Sequence, residues 1–245
     1  MVMHELSQAN TTVEKSLYSM AKSFRGGGGI YESFTGLQDL RTDFVRSMDW
    51  PLDGDIDIDR YDNDPTTTHF YREDADGGIL STMRLSQVAH LDEMMSLQML
   101  AANPGMQQQA SQALAELYQQ NPDTKLYDLT RLVIRDDIRG FQAAELMLSM
   151  FVRAMEQTAP LEGGHSEDVI WAFALMSSVS RALNRIGISC RTIASGEATE
   201  GDGYQTEFCY IRPHEATKKA LTSSLSVDEL ARRAILRGHA RQKSL

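Results

Sequence analysis

The sequence predicts an α/β fold, a single domain in which a mixed, mostly antiparallel central sheet is flanked by helices. Three observations carry this. From residue 126 onward, strand-like and helix-like stretches alternate, the pattern of a sheet covered by helices. A hairpin signature between Thr66 and Leu85 precedes them and supplies antiparallel pairing. The 245 residues, 42% hydrophobic and 24% charged, can bury a substantial core within the ordinary size of one domain.

The elements follow in order. Residues 4–24 show weak helical spacing (Leu6, Val13, Leu17, Met20, Phe24) and stop at the hinge-like run Gly26-Gly27-Gly28-Gly29, so residues 1–30 read as an N-terminal extension. Leu37, Leu40, Phe44, Val45 and Met48 recur at helical spacing ahead of Trp50-Pro51, where proline helps to end the helix. THFYRED and ILSTMRL, joined by ADGG, form the hairpin. Residues 86–125 read as a helical insert, either packed on the core or covering a pocket. Residues 126–134 suit a central strand, and Gly140 opens a long helix through Met155. Strand 169–176, helix 179–186 and strands 190–194 and 206–211 complete the domain over residues 31–213. Residues 214–245 read as a helical basic tail.

Composition excludes several classes. The formal charge is −10, which disfavours general nucleic-acid binding. No apolar run reaches the roughly 18–20 residues of a membrane span, and nothing marks the N-terminus for export. Cys190 and Cys209 sit in β-branched and aromatic surroundings, as free thiols do in a reduced, cytoplasmic protein. Charge is unevenly distributed: residues 53–76 hold nine acids against two arginines, whereas residues 218–243 hold seven bases against two acids.

Several residues invite a chemical reading beside a structural one. Arg139-Gly140 stands between a strand and a helix, where glycine and the helix N-terminus suit a phosphate group or an ordinary turn. Asp57, Asp59 and Asp62 lie in an acidic run that by itself reads as a solvated loop. It is no calcium loop, since Ile58 or Arg60 stands where glycine is required. Arg84 can clamp a carboxylate or pair with the acidic run. Asp128 and Arg131 are three apart, so both reach one site only through a strand irregularity. His69 and His90 lack partners at zinc spacing, and His165 reads as a loop residue. No metal and no cofactor are expected. There is no Gly-x-Ser-x-Gly elbow and no cysteine in a nucleophile's setting, so covalent catalysis through a serine or cysteine is not expected.

The segment Leu40-Arg41-Thr42-Asp43-Phe44 through Trp50, then Asp57-Ile58-Asp59-Arg60-Tyr61-Asp62, then Met83-Arg84-Leu85, resembles the N-terminal signature of the acyl-homoserine-lactone synthases. Asp128-Leu129-Thr130-Arg131 is similar to their acid-x-x-Arg motif, with Asp where that family typically has Glu. Val179-Ser180-Arg181-Ala182 is similar to their Val-Ser-Arg element. The likeness covers residues 37–212. That family is similar in turn to the Gcn5-related N-acetyltransferases, whose phosphate-binding turn the run from Val133 through Arg139-Gly140 to Ala143 resembles.

The resemblance implies an autoinducer-synthase domain with an acyl-CoA N-acyltransferase-like fold. It implies transfer of a fatty-acyl group from acyl carrier protein, or from acyl-CoA, to the amine of S-adenosylmethionine, with lactone closure and release of methylthioadenosine. Arg41, Phe44, Trp50, Asp59, Asp62 and Arg84 would bind S-adenosylmethionine, with Phe44 and Trp50 serving either as core or as aromatic faces for the sulfonium. Asp128, Arg131 and Asp62 would be catalytic, Asp128 as general base directly or through water. Replacing Asp62 by Asn is then expected to abolish product and leave the fold intact. Arg139 and Gly140 would hold the pantetheine phosphate. Docking an acidic carrier protein falls to Arg135, Arg139, Arg153, Arg181, Arg185, Lys218 and Lys219. Two alternatives stay open: an N-acyl amino acid synthase of related fold, and a non-catalytic acyl-carrier-binding domain.

Overall fold

The computed structural model describes residues 21–27, 34–48, 59–158, 169–185, 188–197 and 205–213. Seven strands form one sheet: β1 (Lys22–Arg25), β2 (Thr67–Glu73), β3 (Ile79–Val88), β4 (Lys125–Ile134), β5 (Val169–Met176), β6 (Arg191–Glu197) and β7 (Gln205–Ile211). Their order is β1-β2-β3-β4-β5-β7-β6. Every neighbouring pair is antiparallel except β4 with β5. The helices are α1 (Thr35–Ser47), α2 (Met95–Gln98), α3 (Pro104–Gln120), α4 (Gly140–Thr158) and α5 (Ser177–Arg185). Helix α4 is the crossover that a parallel pair requires.

Strand β5 is apolar at nearly every position and lies between two buried clusters, as a strand covered on both faces must. On one face Trp171 and Phe173 pack with Met147, Met150 and Phe151 of α4. On the other, Ile170 and Ala172 pack with Leu97 of α2 and with Met106, Ala110 and Leu114 of α3. The insert is therefore packed, and Asn103 caps α3 by accepting from the Met106 amide at 3.1 Å, with Pro104 opening the helix.

Two expectations are corrected. Lys22–Arg25 is not the end of a helix but an edge strand paired along its length with β2, so the sheet begins inside the stretch read as an extension. Residues 86–88 belong to β3 rather than to the helical insert. Helix α1 also turns differently than its leucines suggest. Its buried stripe is Leu37, Gln38, Arg41, Thr42 and Val45, which places an arginine at the middle of the sheet-facing side.

The strand irregularity that the Asp128 and Arg131 spacing demands lies in β4. Arg84 pairs with Thr130 and Thr82 with Val133, so three steps along β4 oppose two along β3. Arg131 takes a left-handed backbone (φ 56°) to absorb the extra residue. A bulge bends its strand, and here β4 stays with β5 only from Lys125–Val169 to Asp128–Ala172. Beyond this point β4 continues with β3 and β5 with β7. The two central strands splay, and a cleft opens between them.

Candidate functional site

The cleft forms a cavity. Its walls are Leu129 to Val133 of β4, Ala174 to Met176 of β5, Val179 of α5, Met95 and Ser96 of α2 with Met99 just after it, and Arg41, Phe44 and Val45 of α1. Most of this lining is apolar. The polar groups gather where α1, α2 and the β4 bulge meet.

Behind that polar end lies a network of acids and arginines. Arg41 grips Asp62 with both guanidinium nitrogens, at 2.7 and 3.2 Å. The Nη1 of Arg84 donates to Asp59 Oδ1 and to Asp62 Oδ1, each at 2.7 Å, while its Nε donates to Thr130 Oγ1 at 2.9 Å. Arg131, turned inward by the bulge, donates to Asp59 Oδ2 at 3.0 Å. The Asp59 amide donates to Asp62 Oδ2 and the Tyr61 amide to Asp59 Oδ1, both at 2.8 Å. This closes the 59–62 turn around its own carboxylates. His69 Nε2 donates to the Asp62 carbonyl at 2.9 Å, and its ring stacks on Phe24.

Burial sets the protonation of these groups. Burial alone pushes the Asp59 and Asp62 carboxyls up, but the guanidiniums of Arg84, Arg131 and Arg41 outweigh it, and both stay below the ordinary carboxylate range. Burial likewise holds His69 neutral, its pKa pushed down to about 4. Asp128 is the opposite case. Buried on β4, it accepts from Ser96 Oγ at 2.5 Å and from the Ser96 amide at 3.2 Å, and among the described residues no guanidinium is bonded to it. Its pKa is raised to about 6 by burial, against the lowering effect of those hydrogen bonds.

The residues singled out from the sequence therefore separate. Arg41, Phe44 and Arg131 line the cavity. Asp59, Asp62 and Arg84 form the network behind it. Asp62 is fully enclosed with its oxygens engaged, so replacing it by Asn is expected to weaken the fold as well as the site. Asp128 stands behind Ser96. Arg139 is exposed at the start of α4, and Gly140 uses its freedom at φ 59°. Arg135 is not a free docking charge, since Asp137 and Asp74 bind it. Arg153 is half-buried on α4, whereas Arg181 and Arg185 are exposed one turn apart on α5. Trp50, Asp57, His165, Lys218 and Lys219 lie outside the described residues. Ser96, Met95 and Met99 were not foreseen. The one signal for Ser96 was a lone serine within Met94-Met95-Ser96-Leu97.

No protein-family profile and no curated protein sequence matches the chain. Solved structures do. TofI, in a ternary complex with an inhibitor and MTA, superposes with a TM-score of 0.56 at 17% identity, over 85% of this chain and 98% of TofI. BjaI, a CoA-dependent acyl-homoserine lactone synthase with SAM and isopentyl-CoA, gives 0.53 at 14% identity, over 89% of this chain and 99% of BjaI. FeeM, an N-acyl amino acid synthase from uncultured soil microbes, gives 0.53 at 11% identity, over 80% and 98%. The chain has the fold of these acyl-transferring enzymes. Among the described residues no helix is long and apolar enough to cross a membrane.

Proposed function

We propose that the protein is an acyl-homoserine-lactone synthase, transferring a fatty-acyl group from a carrier thioester to the amine of S-adenosylmethionine. The observation that supports this most directly is the β4–β5 cleft: an apolar slot with a charged, arginine-bearing end, open between strands whose facing edges have left each other. Peptide groups on such an edge can bind an extended ligand as another strand would, which suits the amide-rich pantetheine arm. Arg139 and Gly140 at the head of α4 would receive its phosphate. The apolar walls would take the acyl chain, with Met95, Met99 and Met176 adapting to its shape.

The acceptor would lie at the polar end. Arg41 and Arg131 would hold its carboxylate, and the Phe44 face would meet the sulfonium. The ammonium must lose a proton before it attacks, and Asp128, carrying its raised pKa without a bonded arginine, is the acid-base group suited to accept it. Amides of the bulged 132–134 segment would stabilise the oxyanion. The methionyl carboxylate then attacks its own γ-carbon, which closes the lactone and expels methylthioadenosine. An acidic carrier protein would dock on Arg181 and Arg185, which carry no ion pair to another described residue.

The test incubates purified protein and S-adenosylmethionine with acyl carrier proteins and acyl-CoAs from C4 to C16, following thiol release and identifying products by mass spectrometry. Acyl-homoserine lactone with equal methylthioadenosine is the expected result. Thiol release only with ordinary amino acids would make this an N-acyl amino acid synthase, the activity named for FeeM. No release with any donor would leave a binding domain.

A further inference from the structure

Asp128 has no opening of its own onto the cavity. On its two flanks in the sheet stand Ser86 of β3 and Ala172 of β5, and its carboxylate is covered by α2. One oxygen takes the Ser96 hydroxyl and the other the Ser96 amide. The charged group that bears on it is Arg84, whose guanidinium is committed to Asp59, Asp62 and Thr130. Ser96 does line the cavity, on the α2 side of its polar end, with only 1% of its surface exposed. An amine bound at that end would meet the Ser96 oxygen, with the Asp128 carboxylate behind it.

We propose that Ser96 is the catalytic group that receives the proton from the attacking amine, passing its own hydroxyl proton to Asp128 in the same step. This deepens the acyl-transfer reading of the site and rests on it. The atoms balance as follows. An N–H bond of the acceptor ammonium breaks and an O–H bond forms on Ser96, while the original Ser96 proton crosses the 2.5 Å separation to Asp128. Ser96 is unchanged and Asp128 becomes neutral. The freed amine adds to the thioester carbon, the C–S bond breaks, and a second amine proton leaves with the sulfur as thiol. Asp128 returns its proton to water before the next turnover. A serine oxygen can do this because it accepts through its lone pairs while donating. Asp128 suits the receiving end because it is enclosed and, among the described residues, hydrogen-bonded to no cation.

A purely structural role competes: the Asp128 carboxylate also fastens the α2 backbone to the sheet, and that bond to the Ser96 amide survives removal of the hydroxyl. The experiment therefore measures single-turnover acyl transfer against pH for the wild type, Ser96→Ala, Ser96→Thr, Asp128→Asn and the Ser96→Ala/Asp128→Asn double variant, with thermal melts beside them. Ser96→Ala is expected to lose at least about 100-fold in transfer rate, the lower range for a general base. Its acid limb should move to higher pH, since the lost hydroxyl lowered the Asp128 pKa. The threonine variant should recover most of the rate, and the double variant should fall no further than Asp128→Asn, as groups acting in one unit do.

Transfer by Ser96→Ala within about threefold of wild type with an unmoved limb overturns the relay, as does an acyl group found covalently on Ser96. If the Ser96 variants fail to fold, the wild-type rate in mixed light and heavy water decides. A bowed dependence shows two protons moving together, and a straight line overturns the proposal. Failure of the parent reading looks different: wild type that acylates only ordinary amino acids leaves Ser96 testable with that acceptor, while no transfer at all overturns both.

Discussion

Two buried acid sites lie side by side in this molecule and behave in opposite ways. Asp59 and Asp62 are wrapped by Arg41, Arg84 and Arg131, which hold them ionised; Asp128 on β4 is bonded to Ser96 instead, and burial raises its pKa to about 6. Burial opposes ionisation in both, so the neighbours decide. A carboxylate locked by arginines fixes geometry and cannot readily take a proton. One held by a hydroxyl and backbone amides can. The sequence-level expectation grouped Asp62 with Asp128 as catalytic, and the structure assigns them different physics.

The largest expected effect comes from breaking the first site. Arg84 is 1% exposed and bonded to both acids, so Arg84→Met leaves the buried Asp62 and the half-buried Asp59 short of a partner. Removing one member of a buried ion network typically costs about 3–5 kcal/mol. Urea unfolding at pH 7 should show a loss of that size. A loss below about 1 kcal/mol would mean the network is wetter and looser than its geometry.

At the second site the sign reverses. The folded pKa of Asp128, about 6, lies above its ordinary 3.8, so whatever stability it contributes is present below pH 4 and lost as pH rises through 6. That rise corresponds to about 3 kcal/mol. Asp128→Asn should therefore unfold at higher denaturant than wild type at pH 8, with the gap closing toward pH 4, while acyl transfer collapses. Asp59 and Asp62 run the other way, their pairing stabilising the fold above the ordinary carboxylate pKa and failing as acid protonates them. A stability gain in Asp128→Asn that ignores pH would show that Asp128 is not the titrating group.

These differences explain how much of the site the sequence could disclose. The strands and helices were legible because each carries its own period: β5 is an apolar run, α4 an amphipathic repeat, the hairpin an alternation around Asp76-Gly77-Gly78. Strand β1 was not legible, because four residues beside a glycine run acquire their strand character only from pairing with β2. The resemblance to the acyl-homoserine-lactone synthases, rather than composition or spacing, singled out Arg41, Asp59, Asp62, Arg84 and Arg131. It could not rank them, for which of them faces the cavity depends on the bulge at Arg131 and on where α1 and α2 lie against the sheet. Ser96 was hidden for the same reason. A serine in an apolar turn is ordinary until the fold sets a buried carboxylate 2.5 Å from its hydroxyl.

The smallest expected effect probes a surface outside both sites. Arg181 and Arg185 are exposed on α5, whose Val179 borders the cavity, so a carrier docked there would stand at the cleft. The protein as a whole carries −10 and repels an acidic carrier, so local cations must overcome that repulsion at close range. With a Debye length of about 10 Å at 0.1 M salt, their help should fade as salt rises. Reversing both arginines to Glu should raise KM for acyl carrier protein about tenfold at low salt, roughly 1.4 kcal/mol, and much less at 0.5 M. KM for S-adenosylmethionine and the melting temperature should stay put, because neither residue touches the acid network or Asp128. An unchanged KM for the carrier at low salt would move the docking surface off α5 while leaving the contrast between the two buried acids intact.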